Sequence, residues 1–238
     1  MKGKVITIEG GDRVGKHTQS ILLSQYLCSI GIDTITLSFP NYGTKQASPV
    51  ENYLAGEILN ANGMEASLLY AFDRSITCRE ANIKKLIDDG IWVIFDRFTP
   101  SNQMYQCARE LPDNVDLNKS LPINWKMADD IEKLEYDILG LPKPDHIIFL
   151  ALSRKNNDIL LEKDLGKDGG DIHENDHNLL DRAAAVGFEL AKKYHWETIH
   201  CDSEDGGIQS IDVIHNMIRD LLSTDIEKES KCTNMNQI

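Results

Sequence analysis

At 238 residues the chain is long enough to bury one sizeable core, and with no Pro-, Gly- or Ser-rich linker it reads as one domain, residues 1–224, followed by a tail at 225–238. A net charge of -13 argues against a general nucleic-acid or anionic-membrane binder, which needs a basic surface, and no apolar run approaches the ~18 residues of a membrane span. Five cysteines, odd in number and without a C-x-x-C pair, argue against a disulfide framework or a zinc site, and Met1-Lys2-Gly3 leads straight into a strand. The expectation is a reduced, cytoplasmic protein with no leader peptide and no nucleic-acid or membrane partner.

Val5-Ile6-Thr7-Ile8 is a short apolar, β-branched run, and from Ser20 to Leu27 apolar residues recur at helical spacing. Between them lies E-G-G-D-R-V-G-K-H-T-Q, Glu9 to Gln19. Gly10 and Gly15 with Lys16 fit G-x-x-x-x-G-K, whose glycines free backbone N–H groups to surround phosphate oxygens while the lysine reaches the terminal phosphates. The helix that follows adds its positive end. One position departs from the pattern: His17 stands where Ser or Thr would offer Mg²⁺ a hydroxyl, and Thr18 comes one residue late.

Thr34 to Phe39 reads as a second strand stopped by Pro40, with a loop through Tyr42 and Gly43 and a short helix from about Ser48 to Leu59. A long helix from about Met64 to Asp89 follows, with Leu69, Phe72, Ile76, Ile83, Leu86 and Ile87 as its apolar stripe and Gly90 as its stop. Tyr70 and Arg74, four apart, share another face of it. Ile91 to Phe95 is nearly continuous in apolar residues, as a strand covered on both faces would be, and it ends in Asp96-Arg97. Ligands in open α/β sheets bind beyond the carboxyl ends of the strands, where the glycine loop must also sit.

Ser101 to Glu110 and Trp125 to Leu139 read as helices, and His146 to Leu152 as a strand. A glycine-rich polar segment follows at 163–176. Then come a helix to about Tyr194, the strand Glu197 to Cys201, a helix from about Ile208 to Leu222, and a polar tail expected to be disordered. Five strands alternating with helices predict a parallel sheet with helices on both faces, of the P-loop nucleotide-binding type.

The chain resembles the thymidylate kinases, P-loop nucleoside monophosphate kinases, over about Lys4 to Leu222. The likeness rests on the loop together with Phe39-Pro40, Leu69 to Arg74, Asp96-Arg97-Phe98 with Ser101, Tyr105 and Gln106, and Gly140 to Asp145. It implies transfer of the γ-phosphoryl group of MgATP to dTMP by a homodimer. Gly10, Gly11, Asp12, Arg13, Val14, Gly15, Lys16, His17 and Thr18 would hold ATP. Asp96 would place Mg²⁺, directly or through water, with Thr18 as a second candidate. Arg97 would hold the dTMP phosphate, Tyr70 stack on thymine, Arg74 read its exocyclic oxygen and Tyr105 lie beneath the deoxyribose. Asp12, Phe39, Pro40, Tyr42, Ser101 and Gln106 would complete that pocket.

The catalytic set implied is Arg13, Lys16, Asp96 and Arg97. The resemblance also implies that 163–176 closes as a lid, and Arg13 matters because that lid reads Asp171-Ile172-His173-Glu174, without the arginine that some relatives carry there. Tyr42 stands where some relatives have a second phosphate-binding arginine, and Phe98 where a tyrosine is usual. Two rivals remain open at this point: a kinase for another pyrimidine deoxynucleotide, and a nucleotide-binding protein with impaired catalysis. A GTPase-type switch would want N-K-x-D, and Asn118-Lys119-Ser120-Leu121 lacks the aspartate.

Overall fold

A computed structural model describes residues 2–58, 61–164 and 176–235, so the expected lid at 163–176 lies largely outside the described residues. Five strands, β1 (Val5–Gly10), β2 (Thr34–Ser38), β3 (Trp92–Asp96), β4 (His146–Ala151) and β5 (Glu197–His200), form one sheet in the order β2-β3-β1-β4-β5. Every pairing is parallel. In the register Ile8 lies opposite Asp96 and Gly10 opposite Leu150, which brings the glycine loop and Asp96-Arg97 to one end of the sheet.

Side chains alternate across β1. Ile6 and Ile8 face α1 (Lys16–Ser29) and α9 (Ile211–Met235), in a core that includes Leu23, Leu27, Ile94, Ile218 and Leu222. Val5 joins Val93, Phe95 and Phe98 on the opposite side. That side is covered by α3 (Gly63–Glu80), α4 (Ile83–Asp88), α5 (Thr99–Arg109), α6 (Trp125–Glu132) and α8 (His177–Tyr194). Each fully buried Ile, Leu or Phe contributes about 1.5–3 kcal/mol.

Several elements differ from the sequence reading. The long helix is two, because Asn82 adopts a left-handed conformation with φ 52 between α3 and α4, which an Asn tolerates. The stripe does not lead to the core throughout: Phe72 is half exposed, and the buried face of α3 carries Ala66, Ser67, Ala71, Arg74, Ser75 and Cys78. The helix at Trp125 turns into a π-helix at Lys133–Ile138, with Leu139 N–H bonded to the Leu134 carbonyl five residues back. The short helix α2 (Ser48–Leu54) stops early, and α7 (Arg154–Asp164) was not foreseen.

The tail expected to be disordered from residue 225 is instead helical to Met235. Ile226 continues the apolar row of Ile218 and Leu222 into the core, and Asp225 meets His146 at 2.9 Å and Lys4 at 3.6 Å. The other nitrogen of His146 lies 2.9 Å from Glu197, so two carboxylates hold one imidazole. The hydrogen bond to Glu197, opposed by burial and helped by Asp225, raises the His146 pKa above its ordinary value of 6.5. A raised folded-state pKa gives stability that is complete below about 6.5 and lost as pH rises through the folded value. The difference in Tm between wild type and His146→Gln should therefore be largest at pH 6 and shrink towards pH 8. A difference that grew with pH would show that the imidazole is not charged in the fold.

Candidate active site

The glycine loop needs glycine at two of its positions. Gly10 has φ 149, and a Cβ there would lie 2.6 Å from the Leu150 carbonyl oxygen; Gly15 opens α1 with φ 93. Lys16 is buried, and its ammonium donates to the Gly11 carbonyl. Burial, joined by the charge of Arg97 and offset by Asp12, Asp96 and Glu9, lowers its pKa to about 7. An anion beside it favours the charged form, so phosphate binding there is linked to proton uptake.

One carboxylate beneath the loop organises its surroundings. Glu9 is fully buried on β1 and accepts from Thr7 Oγ1 at 3.1 Å, the Phe98 N–H at 2.7 Å and Ser101 Oγ at 2.6 Å. Burial raises its pKa, although Ser101, Phe98, Arg97 and Lys16 all favour its charged form. It therefore satisfies the start of α5, where Phe98 supplies no side-chain cap. Above it, Arg97 holds φ 64, donates to Asp12 Oδ1 at 2.6 Å and lies 5.8 Å from the Tyr105 ring. Burial raises the Asp12 pKa, but Arg97, Lys16 and Arg13 outweigh it and the net shift is downward.

All ten residues expected to bind the nucleoside monophosphate line one cavity: Asp12, Phe39, Pro40, Tyr42, Tyr70, Arg74, Arg97, Ser101, Tyr105 and Gln106. Leu54, Asn102 and Leu180, not singled out in the sequence, line it as well. Tyr70 meets Tyr53 edge-on at 6.3 Å, and Phe39 packs against Phe95 and Phe98 at 5.7 Å. Phe98 stacks on Phe95 at 4.1 Å and is wholly buried, so the site where a tyrosine is usual has become apolar core. Tyr42 is exposed at the rim.

Arg74 does not stand alone. Its Nε donates to Glu135 Oε2 at 2.7 Å and its Nη2 to Glu135 Oε1 at 2.5 Å, both residues being buried. Glu135 also accepts from Thr99 Oγ1 and Asn102 Nδ2, each at 2.7 Å. The π-helix carries that carboxylate, which is fully buried and bonded to Arg74 and Asn102, both of which line the cavity. Three of the five guanidinium donors are not used by Glu135. Because a carboxylate only accepts, the Asn102 amide must present nitrogen to Glu135; its Oδ1 is buried without a partner among the described residues. Both side-chain polar atoms of Gln106 are likewise unpartnered. Glu135 gave no sequence signal, since it reads as one more charge on a surface helix.

At the end of β3, Asp96 Oδ2 accepts from Ser38 Oγ at 2.7 Å and lies 3.0 Å from His17 Nδ1. Thr18 is exposed on the first turn of α1. Among the described residues no group of three or more His, Cys, Asp or Glu could hold a metal. A carboxylate oxygen at the mouth of a phosphate loop does fit Mg²⁺, which usually keeps its waters and substrate phosphates and takes one or two protein carboxylates.

The sequence model of the thymidylate kinase family matches residues 8–205. The thymidylate kinase of Mycobacterium tuberculosis is 32% identical over 216 residues, covering 85% of this chain and 94% of its own. That of Homo sapiens is 27% identical over 228 residues, covering 94% and 91%. The structure of the thymidylate kinase from Candida albicans superimposes with a TM-score of 0.69 at 24% identity, covering 94% of this chain and 92% of that one, a likeness of fold. With its sequence matched on this scale and its sheet carrying the loop and the cavity side by side, the chain belongs to the thymidylate kinase family.

Proposed function

We propose that the chain transfers the γ-phosphoryl group of ATP, bound with Mg²⁺ at the loop from Gly10 to Thr18, to dTMP held in the cavity beside it. The observation that carries this reading is the Arg97–Asp12 contact at 2.6 Å, which joins the donor loop to a guanidinium lining the acceptor cavity. The acceptor phosphate is itself the nucleophile, so no Ser, Cys or His nucleophile is needed. Catalysis is alignment and neutralisation of charge on the moving group. Mg²⁺ would supply charge neutralisation across the phosphates, with Asp96 as the protein's carboxylate beside it. Lys16 would hold the donor phosphates and Arg97 the acceptor phosphate, exchanging part of its contact with Asp12 for a fork onto phosphate. Tyr70 offers a flat ring to the base and Tyr105 one to the sugar.

Base choice follows from two buried groups. Spare Arg74 donors suit the O4 carbonyl of thymine, and the unpartnered Asn102 Oδ1 suits its N3–H. Cytosine reverses both, leaving polar groups unpaired at about 1–3 kcal/mol each. In a coupled assay of ATP consumption, dTMP and dUMP should be accepted, with kcat/KM for dCMP lower by about 10²-fold or more. Equal turnover of dCMP would remove Arg74 and Asn102 from base recognition, and no turnover of any of them would overturn the activity.

A homodimer is also proposed, supported by Leu68 and Phe72, which lie one turn apart on α3 and are each about half exposed. A reducing, cytoplasmic setting is supported by Cys28, Cys78, Cys107 and Cys201, all free thiols. No described helix is long and apolar enough to cross a membrane.

A further inference from the structure

His17 follows the loop lysine directly, at the position from which a phosphate loop normally directs a hydroxyl to the metal. Its Nδ1 lies 3.0 Å from Asp96 Oδ2, the same oxygen that accepts the Ser38 hydroxyl at 2.7 Å. An oxygen that already accepts from one donor and belongs to a carboxylate has only lone pairs to offer. The hydrogen in the second contact is therefore on Nδ1, which leaves Nε2 as the ring nitrogen that a metal could take. The ring is 72% exposed while the Asp96 side chain is 10% exposed, so the carboxylate is held in the fold while the imidazole reaches solvent. A ring nitrogen donating to a carboxylate while its other nitrogen stays free is the arrangement that metal-binding histidines use, the carboxylate fixing tautomer and orientation.

We propose that His17, oriented by Asp96, is a direct ligand of the nucleotide-bound divalent cation, and that it moves the preference of this kinase from Mg²⁺ towards first-row ions that accept nitrogen, such as Co²⁺. The inference rests on ATP binding at this loop. Imidazole suits transition ions, whereas Mg²⁺ selects carboxylate, phosphate and water oxygens. In this arrangement the nucleotide supplies phosphate oxygens and His17 supplies the one nitrogen, so a single side chain sets the selectivity.

The test uses the full-length protein with ADP and needs no turnover. With Mn²⁺ as the paramagnetic probe and protein labelled with ¹⁵N-histidine, pulsed electron paramagnetic resonance should show a directly coordinated imidazole nitrogen in the wild type and none in His17→Ser. Competition binding should show the Co²⁺ to Mg²⁺ preference falling by about tenfold in His17→Ser. A wild-type spectrum without nitrogen coupling, although Mn²⁺ and ADP are bound together, would overturn the proposal and leave nucleotide binding intact; so would an equal preference in the two proteins. If ADP failed to bind at all, the reading of the loop would fall and the proposal with it. The wild-type spectrum decides the matter even if the variant were not to fold.

Discussion

Arg13→Ala should lower kcat by about 10²–10³-fold while the KM for dTMP changes little, because removal of one preorganised donor to developing charge costs about that much. Arg13 is held at φ 61 inside the loop, directly after Asp12, whose carboxylate is fixed by Arg97. The backbone that carries Arg13 is thus pinned on its acceptor side by a hydrogen bond and on its other side by the start of α1. The rival sources of positive charge are Lys163 and Lys167 in the segment expected to form the lid, where Ile172 stands at the position that is arginine in some relatives. A lysine is a point charge on a flexible stem and aligns less well than a guanidinium. Lys167→Ala should therefore cost far less than Arg13→Ala in steady-state kinetics. The reverse ranking would move the charge to the lid.

Glu135→Ala should destabilise the protein by about 3–5 kcal/mol, the cost of leaving a buried charge without its partner. Arg74 is 2% exposed and two of its donors end on Glu135, so alanine strands a guanidinium along with the Thr99 hydroxyl, while the Asn102 amide keeps only its bond to the Ser67 carbonyl. The double replacement Arg74→Met with Glu135→Leu should recover much of that loss, because a buried ion pair exchanged for apolar side chains of similar volume is often nearly neutral. Discrimination against dCMP should not return with it. Urea unfolding, read beside the substrate panel, separates the two effects. A double variant no more stable than Glu135→Ala would mean that the pair is not what holds this wall together.

The features legible in the sequence are those with a local cause. Central parallel strands are covered on both faces, so Ile91 to Phe95 and His146 to Leu152 stand out as apolar runs, and the glycine loop announces itself through backbone needs that only glycine meets. What escaped depends on partners distant in the chain. Apolar spacing in α3 pointed partly to Phe72, which faces outward, because the buried face of that helix carries Arg74 and small residues for the cavity. Glu135 pairs with a residue 61 positions away, and the π-helix that aims it leaves no mark on apolar periodicity. The last helix was cut short for a related reason: the polar tail gave no hint that Asp225 would meet His146 and Lys4.

The Glu9 carboxylate has a mechanical consequence. Its bonds to Thr7, the Phe98 N–H and Ser101 stitch β1 to the start of α5 through a group with no access to water. Separating β1 from α5 would break the bonds that Glu9 accepts from the Phe98 N–H and the Ser101 hydroxyl, so the strand beneath the loop and the helix that walls the cavity are tied through one buried side chain. The offset between the loop and the cavity is thereby held by a contact within the protein itself.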